Sequence, residues 1–141
     1  MKRHASAQWN GDLKTGKGTV STQSGILSQT QYSFATRFEN GKGTNPEELI
    51  AAAHAGCFTM ALSGQLGAAN LVADQLATTA TITMEKMEAG WTVTGVHLSV
   101  TGKVPKADAA AWEKATAAAK AGCPISRLLN TTITMDAKLE H

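Results

Sequence analysis

Few residues in this chain can do chemistry. Cys57 and Cys123 are its two thiols in 141 residues. That is too few for the disulfide framework of a secreted domain, which leaves structural thiols, metal ligands or redox groups in a reducing compartment. His54 precedes Cys57 by three positions, a helical spacing that would let the imidazole act as a base toward the thiol or join it on a metal, but a satisfied core histidine is the reading the helix favours. The stretch "GCPIS" sets Cys123 directly before Pro124, which suits a first helical position. Cys123 would then stand at an N-cap, where unpaired N–H groups favour a thiolate, or serve there simply as a small capping residue. Arg37 cannot deprotonate, so beside a thiol it would favour the anion, and its fork could hold a peroxide oxygen; taken alone it reads as a surface Arg on a strand. Two thiols and one His leave a tetrahedral zinc site a ligand short, and C-x-x-C spacing is absent, so a metal is not expected.

The elements that must position these groups can be read from pattern. "QYSFATRF" reads as a strand with Tyr32, Phe34, Thr36 and Phe38 on one face and Arg37 pointing away from it. Asn10-Gly11-Asp12 and the Gly16–Gly18 segment read as two hairpin turns. "NPEELIAAAHAGCFTMALSGQLG" is a helix capped by Asn45, opened by Pro46 and ended by Gly64, Gly67 and Asn70. Glu47 and Glu48 in its first turn complement the helix dipole. From Leu49 to Leu66 it is apolar all round, and a helix of that kind is expected to be buried on most sides. On periodicity alone, Cys57 reads as a structural thiol in a core. Further on, Ala80, Ile82 and Met84 alternate along a strand, and "EAGW" turns the chain into a second strand whose apolar parity slips at Gly95, which predicts a bulge. "KADAAAWEKATAAAKAG" is a helix presenting Trp112, Ala115 and Ala119, "CPISRLLN" a short helix, and Ile133, Met135, Ala137 and Leu139 mark a closing strand. Strands and helices without a regular βαβ rhythm predict an α+β fold.

Composition narrows the class. A chain with 43% hydrophobic residues can form one compact domain. The net charge of +2 is spread without basic runs, which speaks against nucleic acid. The N-terminal stretch lacks an apolar h-region, and His54, Ser63 and Gln65 interrupt the apolar helix, so a soluble cytoplasmic protein is expected, not a membrane protein. Residues 139–141 resemble the start of a tag, leaving one domain over residues 1–138.

The stretches "RFENGKGTNPEELIAAAHAGCFTMAL" and "AKAGCPISRLL", and the chain from about Gln8 to Leu139, closely resemble the OsmC (osmotically inducible protein C) branch of the OsmC/organic hydroperoxide resistance superfamily. The resemblance implies an OsmC-like α+β fold of antiparallel strands around a long buried central helix, assembled as an intertwined homodimer with sites at the interface. It implies a thiol-dependent peroxidase, with no organic cofactor, that reduces organic hydroperoxides, and hydrogen peroxide less well. Cys57 matches the peroxidatic cysteine, Cys123 the resolving cysteine, and Arg37 and Glu47 the pair that activates the thiol. The family's Glu lies ten residues before its cysteine, which selects Glu47 over Glu48. An external dithiol, of lipoyl type or a general thiol reductant, would close the cycle. A Cys57/His54 hydrolase or acyl transferase, and a non-catalytic thiol or metal-binding module, are the competing readings. Ten residues of straight helix span about 15 Å. Glu47 and Cys57 therefore share a site only if the helix breaks or two chains contribute.

Overall fold

Asn10, Gly11 and Asp12 open the first turn of the chain, with Gly11 at φ 95° and the Asp12 carboxylate accepting the N–H groups of Lys14 and Thr15 at 2.9 and 3.0 Å. The computed structural model describes residues 1–141. Its elements are β1 Ala5–Asn10, β2 Lys17–Thr22, β3 Thr30–Tyr32, α1 Phe34–Phe38, α2 Pro46–Ala68, β4 Gln75–Met87, β5 Gly90–Lys103, α3 Ala109–Gly122, α4 Pro124–Leu128 and β6 Thr132–Glu140. Two three-stranded sheets and four helices give the α+β class expected. The chain divides into two compact units, Met1–Leu49 and Ile50–His141.

In the first unit β2 pairs antiparallel with both β1 and β3. The second turn expected at Gly16–Gly18 does not form. Gly16 closes the same loop that Gly11 opens, and Gly18 lies within β2, opposite Trp9 on one side and Tyr32 on the other. A Cβ at Gly18 would strike both rings, whose centroids are 5.5 Å apart, so the missing side chain is what lets them approach across the strand. The strand read over "QYSFATRF" stops at Tyr32. A capping box overrides it: the Ser33 hydroxyl accepts the Thr36 N–H at 3.2 Å and the Thr36 hydroxyl accepts the Ser33 N–H at 2.8 Å. Two satisfied donors outweigh the strand propensity of a short aromatic run, and α1 results.

Helix α2 is capped by Asn45, whose Oδ1 accepts the Glu48 N–H at 2.8 Å. It runs unbroken through Gly64 and Gly67 to Ala68, and Asn70 at φ 57° turns the chain out of it. Burial is confined to the stripe His54, Phe58, Leu62 and Leu66, while Met60 is 79% exposed. The expectation of burial on most sides is therefore not met within one chain.

In the second unit, β4 and β5 form a long antiparallel hairpin whose register shifts between Thr83 and Met84, opposite Gly95 and Val93, the bulge that the slipped parity predicts. Strand β6 then pairs with β5 in parallel. This corrects the all-antiparallel expectation: α3 and α4 act as the crossover of one βαβ unit, and a crossover returns the chain in the same direction. Val96, Leu98 and Val100 of β5 share a face with Ala80 and Ile82 of β4 and Ile133 and Met135 of β6, and this face meets Phe58, Leu62 and Leu66 with Trp112, Ala115 and Ala119. Asp108 caps α3 by accepting the Ala111 N–H at 2.7 Å. Gly102 faces the Trp112 ring with no room for a Cβ. Strand β6 continues through Leu139, which packs on the core, to Glu140.

Candidate active site

Each unit brings together two of the four residues singled out in the sequence. In the first, α1 presents Arg37 and the first turn of α2 presents Glu47. Arg37 Nε and Nη2 both donate to Glu47 Oε1, at 2.9 and 2.7 Å. Both bonds fall on a single oxygen, so the pair is not the two-oxygen fork that would be ideal, and Glu47 Oε2 is buried without a partner. The neighbouring Glu48 is engaged elsewhere, accepting from the Thr44 hydroxyl at 2.8 Å. Because α1 is a helix, Arg37 does not point away from the aromatic side as the strand reading required. Helical spacing brings Phe34, Arg37 and Phe38 together, with the guanidinium carbon 5.3 Å from the Phe38 ring centroid. Trp9, Leu13, Tyr32, Phe34 and Phe38 line a pocket of about 270 Å³ with Ser33 and Arg37. Periodicity gave no warning of this pocket, since Trp9 and Leu13 come from a distant hairpin.

In the second unit α2 and α4 position the thiols. Cys57 is half-buried, Cys123 is fully buried, and neither is in a disulfide. Both belong to the same core cluster, and each bears on the ionisation of the other. Burial pushes Cys57 above the ordinary thiol range and Cys123 adds to the effect, with the Ile125 amide offsetting part of it. Burial also opposes ionisation at Cys123. There the Ser126 amide, the Cys57 thiol, the Ser126 hydroxyl and the Ile125 amide together outweigh it, and the net direction is downward. Cys123 is the N-cap residue of α4 with Pro124 following, as "GCPIS" suggests, although its sulfur closes no capping hydrogen bond of ordinary geometry. The amides of the first turn act on it as nearby dipoles. None of the groups acting on Cys57 is a cation, so its thiolate needs positive charge from outside this set.

His54 is fully buried one turn before Cys57, and its Nε2 lies 2.7 Å from the Ser126 hydroxyl. Burial holds its pKa below the ordinary value of 6.5. It is therefore neutral and committed to Ser126. Sequence reasoning passed over Ser126, whose signal was its place three residues after a candidate N-cap. His97 bridges Thr134 at 2.8 Å and Asp136 at 3.4 Å on the opposite face of the sheet, away from the thiols.

Two free thiols share one core cluster, and one of them is drawn toward the anion. Residues 39–138 match the family described as OsmC-like protein, and the chain belongs to that family. Peroxiredoxin OsmC of Escherichia coli (strain K12) is 49% identical to it over 140 residues, which cover 99% of this chain and 98% of the relative. The fold is shared with an OsmC-like protein of unknown function from Vibrio cholerae, at TM-score 0.79 and 17% identity over 98% of this chain and 99% of that one. It is shared also with the organic hydroperoxide resistance protein OhrB of Bacillus subtilis, at TM-score 0.68 and 22% identity over 97% and 98%. The chain is thus an enzyme of peroxiredoxin type, a thiol-dependent peroxidase. Helix α2 is long and apolar enough to cross a bilayer by length and composition. Its Phe58, Leu62 and Leu66 are committed to the core, so it is the core helix of a soluble fold.

Proposed function

We propose that the enzyme reduces organic hydroperoxides in preference to hydrogen peroxide, through Cys57 as the attacking thiol and Cys123 as the resolving one. The observation that carries this reading is the packing of both thiols in one core cluster, where each bears on the other's ionisation. The Cys57 thiolate attacks the distal oxygen of ROOH and the O–O bond breaks. The alkoxide leaves and takes a proton to become ROH, and Cys57 becomes a sulfenic acid. Cys123 then displaces the sulfenic hydroxyl, forming the S–S bond and water. An external dithiol, of lipoyl type or a general thiol reductant, returns both residues to thiols.

In this reading Arg37 supplies the cation that Cys57 lacks, and Glu47 fixes the guanidinium. Helix α2 does not break between Glu47 and Cys57, and those ten residues span about 15 Å. With helix breakage removed, the remaining route is a homodimer in which Arg37 and Glu47 of one subunit serve the thiols of the other. The exposed side of α2 suits such a partner. Gly56, Met60 and Gly64 lie along it, with open space above both glycines, so a second copy can approach closely. The apolar pocket beside Arg37 favours an alkyl or aryl tail that hydrogen peroxide lacks. A soluble peroxidase with reduced thiols fits the cytoplasm. The test is consumption of cumene hydroperoxide and of hydrogen peroxide with a dithiol. Wild type turns over and Cys57→Ser does not, whereas turnover retained in Cys57→Ser would refute the assignment.

A further inference from the structure

The His54 and Ser126 side chains touch each other in the core, and the peroxidase chemistry above uses neither. Both are buried, at 0% and 8% exposure, and Nε2 and Oγ are 2.7 Å apart. Ser126 is the third residue of α4 and so stands in the same first turn as the buried N-cap residue Cys123, whose ionisation its amide and hydroxyl favour. His54 Nδ1 is buried with no partner. A buried N–H without an acceptor is the rarer and costlier orphan, so the neutral imidazole carries its proton on Nε2. Nε2–H then donates to Ser126 Oγ. The hydroxyl proton cannot point back at a donor and is free to turn toward the first turn of α4, where Cys123 stands.

We propose that His54 and Ser126 form a buried hydrogen-bond relay that directs the Ser126 hydroxyl onto Cys123 Sγ and so primes Cys123 to close the disulfide on oxidised Cys57. The inference rests on the two-thiol reading above. In the closing step the Cys123 sulfur forms the S–S bond while the Cys57 S–O bond breaks, and the proton given up by Cys123 leaves in the water released. The same contact serves the reverse exchange. When a dithiol attacks Cys57, the S–S electron pair departs on Cys123 Sγ, and the Ser126 hydroxyl meets it. His54 and Ser126 touch neither peroxide nor reductant and act through Cys123 as positioning residues. The titratable groups acting on Cys123 are Cys57 directly and His54 through Ser126.

Two readouts test the relay. In a Cys57→Ser background, where coupling between the thiols is absent, thiolate absorbance at 240 nm follows ionisation of Cys123. Ser126→Ala is expected to move that titration up by about one unit, and Ser126→Thr, which keeps the hydroxyl, to leave it in place. His54→Gln, which keeps an N–H near Nε2, should preserve it. His54→Leu should shift it, with no further shift when combined with Ser126→Ala. With Cys57 present, rapid oxidation by one equivalent of cumene hydroperoxide should show disulfide closure slowed at least tenfold relative to sulfenic acid formation in Ser126→Ala. An unchanged titration and unchanged closure in folded Ser126→Ala would overturn the relay while leaving the two-thiol reading intact. Absence of any Cys57–Cys123 disulfide in wild type would instead overturn that reading.

Discussion

In the proposed mechanism Arg37 acts through charge held in place more than through volume. Its side chain is 39% exposed, and it is anchored by two hydrogen bonds to one oxygen of Glu47. Arg37→Met should therefore lower kcat/KM for cumene hydroperoxide about 100-fold, on the order of 3 kcal/mol, while hardly changing the unfolding midpoint. Near-wild-type kcat/KM would exclude Arg37 from activation. His54 makes a prediction of the opposite kind, on stability. Its pKa in the folded state lies below 6.5, so the neutral form is the one the fold accepts. Above pH 6.5 folded and unfolded chains both hold it neutral, and its contribution is complete. Below that the unfolded chain takes up a proton that the folded chain declines, and stability falls as pH falls toward the folded pKa. Urea unfolding of wild type at fixed protein concentration should thus weaken between pH 7 and pH 5.5, and the slope should flatten in His54→Gln. Equal slopes would mean that His54 protonates without cost.

At the scale of elements, the device that aims Arg37 is the Ser33–Thr36 capping box of α1. A five-residue helix has little cooperativity of its own, so its caps decide whether it forms. Ser33→Ala should cost about 1 kcal/mol in stability and more than that in kcat/KM, because the helix that loosens is the one carrying Arg37. A loss of stability without loss of kcat/KM would show that Arg37 is held by Glu47 alone. The same short helix marks where the sequence was hard to read. Alternating aromatics in "QYSFATRF" imitate a strand, and the capping pair competes within the same eight residues. Longer elements were legible because many residues agree. The α2 cap at Asn45, the α3 stripe of Trp112, Ala115 and Ala119, and the bulge at Gly95 all appear where pattern puts them. Direction was not legible. Nothing in the alternation of Ile133 and Met135 distinguishes a parallel from an antiparallel strand, and the crossover through α3 and α4 decides it. The thiol pair was visible as motifs, whereas Ser126 was hidden by its small size and polar type in a position that reads as capping.

At the scale of the molecule, one unit holds the Arg37–Glu47 ion pair and the other the two thiols, and the proposed mechanism joins them across two subunits. Dilution should therefore remove activity as dimers dissociate. Full peroxidase activity from a monomer at nanomolar concentration would contradict a shared site. Mixing Arg37→Met with Cys57→Ser should restore part of the activity, since one of the two sites in a mixed dimer regains both parts. The apolar pocket beside Arg37 predicts at least a tenfold higher kcat/KM for cumene hydroperoxide than for hydrogen peroxide, because burial of each methylene contributes about 0.8 kcal/mol. Equal efficiency on the two would remove the pocket from the account. All of these expectations depend on the two thiols working as one redox centre. The most direct test is peptide mapping by mass spectrometry after one equivalent of cumene hydroperoxide. The account predicts an intrachain Cys57–Cys123 disulfide in wild type, and in Cys123→Ser a Cys57 sulfenic acid that dimedone traps after a single turnover. A free Cys123 thiol in oxidised wild type, or Cys123→Ser turning over with dithiol as fast as wild type, would contradict it.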